Sequence, residues 1–258
     1  MKSKKSNDLS FVSFLKYFAA EVFQVDSRIS RTIITLLTKP GYLTLEYFKS
    51  SKEKYVQPLR LYFIINFVFF LIVPILSTPQ FQIFSFNLKS LSSNNKVYKN
   101  IVNEQIRENN VSAEIYEERF NAHLKYNQPA LVFLIVPLFA LLLKIVFFNK
   151  KRYYLEHLFF SFHFLSFFLI SLLIAIFLYR FSTFILSLSS VSSGFIAAVI
   201  LILLLLWLVF YLFLSVKTFY MENILSNVIK FPFVFVGFFI SLGVYTQFLF
   251  FYTIIALN

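Results

Sequence analysis

The chain has 258 residues, of which 59% are hydrophobic, with 38 Phe and 24 Lys and Arg set against 12 Asp and Glu. That apolar content exceeds what a water-soluble core of this length requires and places most of the chain in a bilayer. With no cysteine, disulfides, thiolate metal sites and cysteine nucleophiles are excluded. The formal charge of +12 lies beside apolar stretches, so it points to anionic lipid headgroups and not to nucleic acid.

Residues 1–58 are basic and intermittently apolar. Phe11, Phe14, Leu15, Phe18, Val22 and Val25 recur at helical spacing, which predicts an amphipathic helix. Asp26 or Ser27 can cap a second helix carrying Ile29, Ile33, Leu36 and Leu37, which Pro40-Gly41 ends. A third short helix is expected from Pro40 to about Ser50. Lys16 and Glu21 interrupt the apolar run, so these helices are expected to lie in the cytoplasmic membrane interface and not to form a signal peptide.

The expected fold is an all-α, polytopic transmembrane bundle of about five spans, near 59–77, 129–148, 153–179, 194–216 and 232–256. Between the first two lies a polar connection, 78–128. Asn94 and Asn95 introduce a helix there, Asn109-Asn110 breaks it, and Ser112 caps another through Tyr116, Phe120 and Leu124. The Lys150-Lys151-Arg152 turn, with Lys217 and Lys230, sets the basic side. The positive-inside rule then puts the amino terminus in the cytoplasm, the 78–128 loop outside it and Asn258 outside it, in a bacterial inner membrane. Pro74 and Pro137 end two FLIVP stretches and are expected to kink their helices.

The third span carries Glu156, His157 and His163. Counted from Tyr154 at about 1.5 Å per residue, His163 lies roughly 13 Å in, close to mid-bilayer, where an ionised group costs several kcal/mol and a neutral imidazole is expected. Glu156 and His163 share a face but are about 10 Å apart along the axis, and His157 points elsewhere, so one helix cannot make a metal site from them. Asn66, Lys217 and Glu222 are the polar residues on other elements that could join them in an intramembrane site. The structural alternative has Glu156 pairing with Lys150, Arg152 or Lys217 and His163 hydrogen-bonding a neighbouring helix. Lys144, near the end of its span, is expected to snorkel. There is no Gly-rich phosphate loop, G-x-S-x-G or H-E-x-x-H, so neither a cofactor nor a metal is expected.

Two segments resemble a bacterial membrane family described as domain of unknown function 3667. The first is RTIITLLTKPGYLTLEYFKSSKEKYVQPLRLYF, Arg31 to Phe63; the second is YYLEHLFFSFHFLSF, Tyr153 to Phe167. The resemblance places Pro40, Glu46, Tyr47, Tyr55, Pro58, Arg60, Glu156, His157 and His163 at the family's motif positions and implies no activity. The chain departs from the family in lacking the cysteine zinc ribbon with which many members begin. It also has Ser50-Ser51-Lys52 for Gly-Lys-Arg and Leu165 for a further histidine. The layout, with a Leu-Leu-x-x-Pro element ahead of five spans, is also similar to the Yip family of membrane trafficking proteins.

Three functions follow as expectations. The first is a non-enzymatic membrane organiser or assembly protein acting through the basic 1–58 segment on anionic lipid. The second is a small carrier or channel with His163 and Glu156 on a polar path. The third is an intramembrane hydrolase or transferase using Glu156 and His157.

Overall fold

A computed structural model describes residues 27–49, 54–76, 96–108, 110–185 and 192–257. The amphipathic helix expected over 11–25 lies outside these residues. The described residues fold into helices: α1 (Ser27–Thr38), α2 (Tyr42–Lys49), α3 (Pro58–Leu76), α4 (Lys96–Glu108), α5 (Ala113–Leu131), α6 (Ile135–Val146), α7 (Tyr154–Ile185), α8 (Ser193–Tyr220) and α9 (Ile224–Leu257). Five helical stretches are long and apolar enough to cross a membrane: α3, α5–α6 taken together, α7, α8 and α9. The chain is an all-α, multi-pass membrane protein.

α7 is the axis of the bundle. Its apolar window is 72% buried, against 22–33% for the other four spans. α3, α6, α8 and both amino-terminal helices pack on it, while α9 closes the far side against α5, α6 and α8. Aromatic side chains fill the seams. Tyr62 lies against Phe133 and Phe162, and Phe139, Phe164 and Phe238 meet with ring centroids 5.0–5.6 Å apart. Ser161, Ser166 and Ser171, all buried on α7, give the neighbouring helices room to approach. The outer faces of α3, α8 and α9 carry exposed Phe, Leu and Ile, as a lipid-facing surface requires.

The helices overrun the expected spans. α7 has 32 residues and α9 has 34, or about 48 and 51 Å, against a hydrocarbon core of about 30 Å. Two prolines expected to open spans lie inside helices, Pro129 within α5 and Pro232 within α9. Pro129 has no N–H to give the Lys125 carbonyl, and the helical ladder changes just past it. The helix tightens into a 3-10 turn over Val132–Leu134, and Asn66 Nδ2 on α3 donates to the Pro129 carbonyl at 2.9 Å. Pro137 falls in the first turn of α6, where the missing N–H is least costly.

The polar connection forms helices as its pattern predicts. Ser112 Oγ accepts from the Ile115 amide, and Asn110, at φ 49°, turns the chain between α4 and α5. Buried Val102, Tyr116, Phe120 and Leu124 join this pair to the main core. Tyr98 reaches α9 through Gln247 and the Phe250 ring.

Candidate functional site

The amino-terminal hairpin defines the first half of the site. α1 presents Leu36, Thr32 and Thr35 to the protein and leaves Arg28, Arg31 and Ile34 exposed. Pro40 cannot continue the helix, and Gly41, at φ 75°, supplies the left-handed turn into α2. The turn is seated against α8. A Cβ on Gly41 would lie 3.0 Å from Ser215 Cα and 3.1 Å from Ser215 C, and closer still to the carbonyl oxygen, so only glycine fits. Tyr211 Oη donates to the Leu36 carbonyl at 2.6 Å, satisfying one of the carbonyls that the end of α1 leaves without an intrahelical partner. Leu36 and Leu43 are buried in the same seam.

The hairpin reaches His163. Thr44 Oγ1 and His163 Nδ1 are 2.8 Å apart, and both residues are buried. Beside them a cavity lined by Lys39, Gly41, Thr44, His163, Tyr211 and Ser215 has room for about one water molecule. His163 stands nine residues from the start of α7 and twenty-two from its end. Protein, not lipid, surrounds it.

The resembled motif builds this docking. Pro58 is the first residue of α3, where its lack of an N–H costs nothing. The Val56 amide donates to buried Thr32 Oγ1 at 3.0 Å, tying the start of α3 to α1. Tyr47 meets the Phe159 ring edge-on at 5.1 Å. Tyr55 is buried under the Lys54 ammonium, Glu46 lies beside Tyr42, and Arg60 is exposed on the first turn of α3.

The second half of the site lies at the basic end of the bundle. Glu156 is the third residue of α7. Its Oε1 accepts from the Tyr153 amide at 3.0 Å, one half of a capping box, and its Oε2 takes Arg152 Nη1 at 2.5 Å. Arg152 Nη2 donates to the Phe219 carbonyl at 2.8 Å at the end of α8, and its guanidinium lies 4.4 Å from the Phe219 ring centroid. Lys144 does not reach out from the turn; its Nζ donates inward to the Arg152 carbonyl. His157, fully buried, has Nδ1 2.6 Å from Tyr220 Oη, and Tyr220 stacks on Phe147. Glu222, in the α8–α9 turn, receives both Lys230 at 2.7 Å and Lys150 at 3.2 Å on one oxygen. Burial opposes its ionisation, but hydrogen bonds from Lys230, Ser226 and Lys150 outweigh this and hold the carboxyl below the usual range.

The six residues proposed from sequence therefore do not share one cavity. Glu156 and His157 are tied to α8 and the basic-end turn, and Glu222 to Lys150 and Lys230. His163 is tied to α2, and Asn66 to the Pro129 carbonyl. Lys217 is half-buried one turn before the end of α8, where its carbonyl accepts from Met221 and Glu222. Among the described residues, no three His, Asp or Glu lie together as a metal site would need. Sequence reasoning missed Thr44, Tyr211 and Tyr220, whose partners are 63–175 residues away. Only Gly41, one of four glycines and directly after Pro40, carried a local signal.

A multi-pass helical membrane protein with a docked amino-terminal hairpin is what the fold and these contacts define. Residues 26–70 match the family model described as a protein of unknown function (DUF3667), which supports the resemblance carried by Arg31 to Phe63. The matched segment corresponds to the hairpin and most of α3. Neither a curated protein nor a solved structure matches the chain.

Proposed function

We propose that the protein is a non-enzymatic membrane organiser or assembly component of a bacterial inner membrane. In this reading its basic end faces the cytoplasm, and the basic residues of 1–58 rest on anionic headgroups. One observation carries the reading: the ionisable Glu156, His157 and His163 of the Tyr153–Phe167 motif each hydrogen-bond a neighbouring part of the protein. Glu156 holds Arg152 and the Tyr153 amide, His157 holds Tyr220, and His163 holds Thr44. A general acid–base pair or a transport path needs such groups turned toward a substrate. Here they fix a hairpin and two turns to the central helix, and the cavity beside His163 has room for about one water.

The full chain reconstituted in liposomes tests this. His163→Ala removes a buried hydrogen bond and leaves Thr44 without its partner, at a cost of about 2–3 kcal/mol. It is expected to speed proteolysis between residues 27 and 49, while ion and solute flux stay at the level of protein-free liposomes for both wild type and variant. Flux through the wild-type protein that His163→Ala abolishes would replace this reading with the carrier.

A further inference from the structure

Five cations, Lys144, Lys150, Lys151, Arg152 and Lys230, gather at the basic end around two carboxylates, Glu156 and Glu222. The compensation is incomplete in a specific way. Lys150 and Lys230 converge on the same oxygen of Glu222, so two ammonium groups share one negative charge. Lys151 is exposed, held outward by a left-handed backbone at φ 50°, and has no carboxylate within ion-pair distance among the described residues. Large apolar side chains stand exposed around this group: Phe148, Tyr153 and Met221, with Ile224 and Leu225 on the first turn of α9. Tyrosines beside lysines at the end of a membrane helix are typical of the headgroup layer. The 78–128 connection and Arg180, which the positive-inside rule puts on the opposite side, carry seven Lys and Arg against five Glu, an excess spread over a much longer stretch.

We propose that this rim is a binding site for an anionic phospholipid, with the headgroup phosphate against Lys151 and the Lys150–Lys230 pair. The acyl chains lie along the exposed residues of α9's first turns. A phosphodiester supplies the negative charge that Glu222 alone cannot, and the apolar border selects a lipid over a soluble anion. The residues of this site fall between 148 and 230 in sequence, outside the 1–58 segment, and the proposal stands whether or not the protein is an organiser.

The test titrates the full chain in neutral detergent with phosphatidylglycerol, phosphatidylcholine and inorganic phosphate, following bound lipid by native mass spectrometry. Phosphatidylglycerol is expected to bind several-fold more tightly than phosphatidylcholine. Lys151→Gln, which breaks no ion pair, is expected to weaken phosphatidylglycerol by about five-fold and Lys151→Arg to restore it. Arg119→Gln on α5 is the control that changes nothing. Equal affinity for the two lipids, or no effect of Lys151→Gln, overturns the site. Displacement of phosphatidylglycerol by millimolar inorganic phosphate overturns the assignment to lipid.

Discussion

Gly41→Ala is expected to destabilise the folded protein by about 2–4 kcal/mol, because a left-handed backbone and a blocked Cβ position coincide at one residue. The φ of 75° alone costs an L-residue about 1 kcal/mol or more. The greater part comes from Ser215. Its carbonyl and Cα occupy the space a methyl group needs, and α8 backbone cannot retreat as a flexible side chain would. The hairpin must therefore lift away from α8, which also breaks Tyr211 to Leu36 and Thr44 to His163. Thermal unfolding in detergent gives the magnitude, and limited proteolysis between residues 27 and 49 gives the location. Gly243→Ala supplies the comparison, since nothing lies within 4 Å of its Cβ position, and it should be neutral or slightly stabilising. Equal melting temperatures for wild type and Gly41→Ala would show that the hairpin is not seated where described.

Arg152→Ala is the second substitution with a large expected effect, again about 2–4 kcal/mol. The guanidinium makes three kinds of contact at once, to the Glu156 carboxylate, the Phe219 carbonyl and the Phe219 ring. Removing it leaves a mostly buried carboxylate without its cation and a carbonyl at the end of α8 without a donor. Arg152→Lys separates charge from geometry. A single ammonium can keep one of these bonds but not the planar fork, so about half the loss should remain. Recovery of full stability by Arg152→Lys would mean that net charge at this end matters and the fork does not. Urea or thermal unfolding of the three proteins side by side decides it.

The apolar spans were legible because hydrocarbon selects composition, and composition needs no partner to be read. Helix α1, the Pro40-Gly41 turn and the cap at Ser112 were legible for a similar reason, since each rests on local backbone chemistry. Where the helices extend was harder. Pro129 and Pro232 mark helix starts in a single-sequence reading, but a proline inside a packed bundle can be accommodated, at Pro129 with a 3-10 turn just past it. The docking of residues 27–49 had no sequence signal strong enough to find it. An amphipathic face is the same whether lipid or α7 covers it, and the deciding partners, Tyr211, Ser215 and His163, are more than a hundred residues away. The pairing of Glu156 with Arg152 was one of several possibilities, and position i, i+4 with a helix start between them selected it.

A bundle of this topology crosses the bilayer an odd number of times between the α4–α5 turn and the basic α6–α7 turn. The absence of native cysteine makes this directly measurable with single substitutions. Asn110→Cys, Lys151→Cys and Met221→Cys place thiols in three turns of the full chain, which is then probed in sealed vesicles of uniform orientation with a membrane-impermeant maleimide. Labelling of positions 151 and 221 from one face and of position 110 only from the other is the predicted result. Labelling of all three positions from the same face would contradict it.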